Sequence, residues 1–214
     1  IAEDVNTNKE VANYSDYTDK ANYFGIHTMI YDGDDINKHL NWAHHLVGDG
    51  CYIKERFEPI TKHTQGPSSH WIKLLEGIYE RNMIPVIRIS GEFDQYGAKP
   101  PKPTAENDYS EFAAAVKRVF EQVPLKEGVP LYVEVLNEPN LKYEWGGEYP
   151  DPVAYGHILV HVAEALHSIG DPRIKVMNAA MSPGGNYNNI KYIDRMFKKV
   201  PESLYAFDVW ASHP

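Results

Sequence analysis

The sequence alternates short apolar runs with longer amphipathic segments, at a spacing of roughly 30 to 40 residues. Apolar residues between the runs recur at three- and four-residue spacing, which predicts helices, with starts marked by Asp35, Ser69, Asp108 and the Asp151–Pro152 pair. Six runs have the length and the β-branched or aromatic content of buried strands: residues 23–28, 51–57, 84–90, 131–136, 174–180 and 207–212. This strand–helix repeat predicts an α/β fold with a parallel sheet.

The loops distinguish between the two architectures that such a repeat allows, an open doubly wound sheet and a closed eight-stranded barrel. Residues 29–35, after the first run, lack the glycine-rich turn of a nucleotide-binding sheet. Long polar and aromatic loops instead follow the strands, at residues 58–69, 91–107 and 140–150. We therefore predict a TIM (β/α)₈ barrel with its active site at the carboxyl ends of the strands. About six of the eight βα units of such a barrel are present.

The domain organisation follows from that prediction. We expect residues 1–214 to be a single, incomplete barrel domain. Its first 22 residues are expected to be a lead-in segment before the first strand. With strands missing, the remainder of the barrel is an expected partner, and the chain is expected to be truncated or one segment of a longer polypeptide.

Side-chain alternation along the fourth predicted strand indicates which residues face the barrel interior. If Glu138 faces the site, Tyr132 and Glu134 point the same way, and Val133 and Val135 face the helices. A buried Glu134 without a partner would be costly, so we expect a basic residue of a neighbouring strand, Arg88 or Lys54, beside it.

Composition excludes several classes of function. Thirty acidic residues against 21 basic ones give a net charge of -9, which disfavours nucleic acid as a partner. No basic segment followed by an apolar run opens the sequence, and no apolar run is long enough to span a membrane. A single cysteine and no H-x-H motif argue against a metal site, and we expect no cofactor. Fifteen Tyr and four Trp suit stacking on sugar rings.

The end of the fourth predicted strand carries the motif with chemistry, YVEVLNEPNL, in which Asn137 and Glu138 precede Pro139 and Asn140. This motif resembles the signature of the clan A retaining glycoside hydrolases, which share a (β/α)₈ barrel. Trp145 follows shortly, as in family 39, the branch of β-xylosidases, α-L-iduronidases and related exopolysaccharide hydrolases. Loops at residues 182–185 and 212–214 support the resemblance, which covers nearly the whole chain.

The resemblance implies that Glu138 is the general acid/base of a retaining hydrolysis of an oligo- or polysaccharide. Asn137 would donate a hydrogen bond to the sugar 2-hydroxyl, or else cap the turn before Pro139. The clan places its nucleophilic Glu at the end of the seventh strand, so no residue of this chain can be carried over as the nucleophile. The alternatives are an inactive truncated remnant and a non-catalytic carbohydrate-binding barrel.

Further residues are expected to line the sugar site. By resemblance His213 would lie near the nucleophile, whereas a histidine near a chain end is otherwise usually a surface residue. His27 and Arg56 could hold the reacting sugar, although the clan has Arg where this chain has Lys54. Trp145 could stack on a sugar ring or pack under its loop, and Trp210 is expected in the core. A carbohydrate is the expected substrate, and a secreted or cell-surface location is favoured.

Overall fold

The computed structural model describes residues 22–213, which form a mixed α/β fold around a five-stranded parallel sheet. The predicted lead-in segment lies outside the described residues, apart from Asn22. The order in the sheet is β1-β2-β3-β6-β7, and β4 and β5 form a separate antiparallel hairpin. The strands are β1 (Gly25–His27), β2 (Tyr52–Phe57), β3 (Ile84–Ile89), β4 (Phe93–Asp94), β5 (Gly97–Ala98), β6 (Leu131–Val135) and β7 (Ile174–Asn178).

Five of the six predicted strands are confirmed, and they lie side by side in sequence order. The sixth prediction, residues 207–212, is wrong in extent, because this segment forms one isolated parallel bridge to β7, between Val209 and Met177, and no continuous strand. Side chains take over the hydrogen bonds of a regular ladder there. The Asp208 carboxylate accepts from the Val176 N–H at 2.8 Å, and the Asn178 amide pairs with the backbone of Ala211.

The sheet of the described residues is not closed, since β1 forms one edge and the bridge beside β7 forms the other. The barrel therefore stays a prediction, and the parallel α/β sheet is what the structure shows. Exposed apolar side chains flank both edges: Tyr23, Phe24, Trp42 and Leu46 on the β1 side, and Ile190, Leu204, Tyr205 and Trp210 on the other. The expectation that Trp210 is a core residue is wrong, because its indole is 45% exposed at the open side.

The helices are α1 (Ile36–Val47), α2 (Ser69–Glu80), α3 (Ser110–Phe120), α4 (Pro152–His167) and α5 (Asn189–Lys199), with 3-10 helices at Tyr143–Trp145 and Pro201–Tyr205. Asp35 and Asp151 cap α1 and α4 as predicted. Ser68, and not Ser69, caps α2, because the capping oxygen must reach the Trp71 N–H three residues on. Asp108 bonds the Ser110 N–H from outside the cap position. Within residues 22–213, no helix combines the length and the apolar character of a membrane span.

The two faces of the sheet differ as the alternation predicted. Val133 and Val135 are fully buried against the helices, where the main apolar core lies. On the opposite face, Glu134 meets the Lys54 ammonium at 2.5 Å and lies in register with Arg88. Of the two predicted partners of this buried carboxylate, Lys54 is confirmed, and Arg88 forms its ion pair with Glu58 instead.

Candidate active site

The NEPN segment leaves β6 with an irregular backbone that is hydrogen-bonded to both neighbouring strands. Leu136 and Glu138 have φ angles of 67° and 35°, in the left-handed region that costs a non-glycine residue about 1–3 kcal/mol. The Leu136 N–H donates to the Ile89 carbonyl at 3.0 Å, and the Glu138 N–H donates to the Ala180 carbonyl at 3.1 Å. These two bonds hold the strained turn in place, and the turn presents Asn137 and Glu138 at the carboxyl edge of the sheet.

Glu138 pairs with His213, the last described residue. The distance from His213 Nδ1 to Glu138 Oε1 is 2.9 Å, and both side chains remain partly open to solvent. Asn178 fixes the approach of His213, because its amide both donates to and accepts from the backbone of Ala211. A carboxyl group against an imidazole nitrogen can hold one proton between the two atoms, which suits a residue that gives up and regains a proton.

Asn137 lies on the other side of the turn and contacts a residue that the sequence analysis did not single out. Its Nδ2 donates to Oε1 of Glu144 at 2.8 Å. Burial raises the pKa of the Glu144 carboxyl, the Asn137 hydrogen bond and Arg88 lower it, and the charges of Glu138 and Glu58 raise it again. The net pKa is above the usual value, so Glu144 belongs electrostatically to the same site as Glu138.

Arg56 lies near the end of β2, where it forms an ion pair with Glu58. Glu58 is a second carboxylate that the sequence analysis did not single out. Glu58 accepts from Arg56 at 2.6 Å, from Arg88 at 3.2 Å and from the Ser90 hydroxyl at 2.8 Å. The Arg56 guanidinium also lies over the Tyr31 ring, 5.2 Å from its centre. Arg56 therefore reaches the site as half of an ion pair with Glu58.

His27 lies at the end of β1, in register with Lys54 of β2, and its ring is partly open to solvent. Partial burial of its ring and the positive charges of Lys54, Arg88 and Arg56 lower its pKa to about 4. A neutral imidazole has one donor and one acceptor nitrogen. At neutral pH His27 can therefore exchange hydrogen bonds with a sugar hydroxyl without adding charge to the site.

The loop after β6 separates buried from exposed aromatic residues. Trp145 is only 6% exposed, so it packs under the loop, which is the alternative that the sequence left open. Tyr143 and Tyr149 of the same loop are exposed and stand at the rim of the site. A stacking contact with sugar is therefore available to the tyrosines rather than to Trp145.

Asn140, the last residue of the NEPN motif, is fully buried and holds the loop after β7. Its Nδ2 donates to the carbonyls of Ser182 and Tyr187, and its Oδ1 accepts from the Ser182 N–H. A Cβ on Gly185 would lie 2.1 Å from Asn140 Nδ2, so the loop passes this amide at a distance only glycine permits. The NEPN motif thus supplies polar groups to the site and also fixes the loop after β7 beside it.

The structure therefore brings Asn137, Glu138 and His213 together at one edge, whereas His27 and Arg56 lie on β1 and β2, which do not pair with β6. Glu58 could have been suspected from its position directly after the second predicted strand, whereas nothing in the local pattern marks Glu144. Within residues 22–213, no three His, Cys, Asp or Glu side chains are grouped so as to hold a metal ion.

Comparisons with known proteins agree with this description of the fold. No protein-family model and no curated protein matches the sequence. The fold is similar to that of a family 39 glycoside hydrolase from the gut symbiont Bacteroides cellulosilyticus WH2, with a TM-score of 0.64 and 18% identity. That match covers 91% of this chain and 38% of the other, so the chain spans less than half of its neighbour's length. A GH18 chitinase from Pseudoalteromonas aurantia has a TM-score of 0.44 at 11% identity, over 89% of this chain and 66% of that one. The chain thus shares the α/β fold of the family 39 structure over most of its own length.

Proposed function

We propose that this chain carries the acid/base half of the active site of a retaining glycosidase of the family 39 type. The observation that supports the proposal most is the Glu138–His213 contact at the carboxyl edge of the parallel sheet, with Asn137 directly beside Glu138. The edge where the carboxyl ends of parallel strands meet is where a barrel enzyme of this architecture has its reactive groups.

In the first step, Glu138 protonates the glycosidic oxygen as the bond from that oxygen to the anomeric carbon breaks. A carboxylate that lies outside this chain attacks the anomeric carbon from the opposite face and forms a covalent glycosyl intermediate. In the second step, the Glu138 carboxylate removes a proton from water, the oxygen of that water bonds to the anomeric carbon, and the bond to the nucleophile breaks. Two inversions give net retention.

The neighbours of Glu138 have separate tasks in this scheme. His213 orients the Glu138 carboxyl group through the 2.9 Å contact between its Nδ1 and Glu138 Oε1. Asn137 donates to the sugar 2-hydroxyl with the N–H that Glu144 does not use. Neutral His27, at the end of β1, offers a further hydrogen bond to the bound sugar.

The partner that completes the site is, in this proposal, polypeptide that supplies the remaining βα units and closes the barrel. The open sheet supports this, because a barrel of this type has a closed ring of strands and the described strands form an open row. The apolar side chains at the two edges support it as well, with Phe24 74% and Tyr205 80% exposed. The nucleophilic carboxylate would arrive with the same polypeptide.

Exposed aromatic rings near the site favour a carbohydrate as the substrate. Tyr143 and Tyr149 follow Glu138 in the loop after β6, and Tyr96 of the β4–β5 hairpin lies against Gly147 of that loop. Flat rings with a hydroxyl edge can stack on sugar faces and bond sugar hydroxyls. The proposal therefore extends the binding surface from Glu138 to the rings of Tyr143, Tyr149 and Tyr96.

The test replaces Glu138 in the protein together with the polypeptide that completes its barrel. Glu138→Ala should slow hydrolysis of natural glycosides about 10²- to 10⁴-fold. Aryl glycosides whose leaving group needs no proton should be affected far less, and azide should restore turnover by attacking the glycosyl intermediate. Glu148→Ala, in the exposed part of the same loop, is the matched control and should keep wild-type rates.

Two outcomes would overturn the proposal. Wild-type rates for Glu138→Ala on natural glycosides would remove Glu138 from the chemistry. An inverted configuration of the first-formed sugar would exclude the double displacement, because a nucleophile beside the acid/base demands retention. Sugar binding without hydrolysis by the wild-type protein would instead support a non-catalytic carbohydrate-binding function.

A further inference from the structure

Glu144 is a half-buried carboxyl group of this site that the proposed mechanism does not use. It lies in the 3-10 helix Tyr143–Trp145, six residues after Glu138, and accepts a hydrogen bond from Asn137 Nδ2 at 2.8 Å. A surface carboxylate in a loop normally turns toward water. Glu144 instead is half-buried and turns toward Asn137, and that position has a structural cause.

The cause is a set of contacts that hold the 3-10 helix from three sides. Trp145 is buried in the core, and Lys142 donates its N–H to the Asn186 side chain of the loop after β7. Gly146 has a left-handed φ of 64° and donates to the Ala98 carbonyl of the hairpin at 2.6 Å. Gly97 completes the fit, because a Cβ there would lie 2.0 Å from the Tyr143 carbonyl oxygen.

We propose that Glu144 is a positioning residue for Asn137, whose amide orientation it selects for contact with the sugar. This inference rests on the proposed function, in which Asn137 contacts the 2-hydroxyl. An ionised carboxylate can only accept hydrogen bonds, so the amide must turn its NH₂ group toward Glu144. The opposite orientation would set the Asn137 oxygen against the carboxylate, and like partial charges would repel.

The chosen orientation has a consequence for recognition. One N–H of Asn137 is used by Glu144, and the second N–H is left for a ligand acceptor such as a sugar hydroxyl oxygen. A freely turning amide would offer its carbonyl oxygen about as readily. Glu144 thus determines whether Asn137 presents an N–H donor or its carbonyl oxygen to the sugar, although Glu144 itself does not contact the sugar.

Charged groups from several elements act on this carboxyl group. Arg88 of β3 favours its ionised form, and Glu138 and Glu58 disfavour it, as does burial. When Glu144 is protonated, its O–H can donate, and the Asn137 oxygen becomes an acceptable neighbour. The orientation is therefore locked only while Glu144 is ionised.

The first experiment follows the Asn137 side-chain amide by NMR, in the protein with its completed barrel, with the resonances assigned through their loss in Asn137→Asp. The amide proton shifts should move with pH as Glu144 titrates, and Glu144→Gln should remove that movement. Glu148→Ala, which alters an exposed carboxylate of the same loop, should preserve it. A movement that persists in Glu144→Gln would overturn the inference, whatever the protein catalyses.

The second experiment compares kcat/KM for an aryl glycoside and for its 2-deoxy counterpart. Glu144→Gln can both donate and accept, so both amide orientations become available. The preference for the 2-hydroxyl substrate should fall roughly 2- to 10-fold, the usual worth of a hydrogen bond between two neutral groups. The melting temperature should stay near that of the wild type, which a merely structural role would not predict. Glu148→Ala should leave the preference unchanged.

The outcomes separate the two proposals. An active wild-type protein whose 2-hydroxyl preference is unchanged in Glu144→Gln would overturn the role of Glu144 and leave the glycosidase proposal standing. A wild-type protein that hydrolyses no glycoside would overturn the glycosidase proposal and the recognition role with it. The NMR experiment decides the orientation of the amide in either case.

Discussion

His213 Nδ1 lies 2.9 Å from Glu138 Oε1, although 75 residues separate the two along the chain. The contact exists because the segment that carries His213 returns to the edge of β7, where Asn178 bonds the Ala211 backbone in both directions. The approach of the histidine to the proposed acid/base thus depends on one buried amide, and predictions can be made for both side chains.

We expect His213→Ala to lower kcat/KM on natural glycosides roughly 10- to 100-fold, because a hydrogen bond to a charged group is worth about 1.5–3 kcal/mol. His63→Ala, at an exposed histidine remote from β6, should have no effect. Steady-state kinetics of the two variants tests this. Equal rates for His213→Ala and the wild type would show that the contact is incidental to catalysis.

Asn178→Ala should displace the His213 segment even though it leaves the histidine in the sequence. It removes both hydrogen bonds to Ala211, and the stability of the protein should fall by about 1–3 kcal/mol. Urea unfolding measures the loss, and the NMR signals of His213 should shift in the folded variant. Unchanged His213 signals would mean that another contact holds the segment.

Two adjacent glycines provide a matched test of the Asn140 clamp. A Cβ on Gly185 would lie 2.1 Å from Asn140 Nδ2, whereas a Cβ on Gly184 would meet nothing within 4 Å. Gly185→Ala should therefore destabilise the protein by about 1–3 kcal/mol, the usual range for overpacking, and Gly184→Ala should be close to neutral. Thermal unfolding of both variants makes the comparison, and equal melting temperatures would contradict it.

Gly97 and Gly128 separate a steric clash from backbone strain. Their φ angles are 117° and 70°, but a Cβ meets the Tyr143 carbonyl at 2.0 Å only at Gly97. Gly97→Ala should lower the melting temperature more than Gly128→Ala and should also reduce glycosidase activity, since the displaced 3-10 helix carries Glu144. A Gly128→Ala variant that is equally impaired in activity would argue against this explanation.

His27 should make stability depend on pH. Its pKa is lowered from 6.5 to about 4 in the folded protein, so between these values the unfolded chain binds the proton and the folded chain resists it. The free energy of unfolding should therefore fall as the pH drops from 6.5 to about 4. His27→Gln should flatten this part of the profile, and His63→Gln should not. An NMR titration of the His27 ring near pH 6.5 would contradict the prediction.

The open edges predict how the 214-residue chain behaves without a partner. Exposed apolar side chains beside strand edges that no part of residues 22–213 covers favour self-association, so we expect oligomers or aggregates in light scattering. Charged replacements at the edges, Phe24→Lys with Tyr205→Lys, should reduce self-association, and Glu76→Lys on the exposed side of α2 should not. A monodisperse, cooperatively melting monomer of the unaltered chain would refute the expectation.

Periodicity predicted most of the sheet because strand formation here follows local pattern. The runs at residues 51–57 and 84–90 became β2 and β3 with little change, and the alternation of Val133 and Glu134 assigned the two faces of β6. The pattern failed at residues 207–212, where side chains of Asp208 and Asn178 took over backbone hydrogen bonds. Neither composition nor periodicity reveals where a side chain takes the place of a backbone hydrogen-bonding group.

By itself, the sequence determined the parallel α/β order, the two faces of the strands and the location of Asn137 and Glu138 at a strand end, because each depends on spacing between near neighbours in the chain. The tertiary structure alone decided that Glu144 accepts a hydrogen bond from Asn137 and that Glu58 forms an ion pair with Arg56. It also decided that Trp145 is buried and that Trp210 is exposed. These outcomes depend on how loops after different strands pack on one another. Side chains distant in sequence acquire neighbours only when the sheet brings the strand ends to one edge.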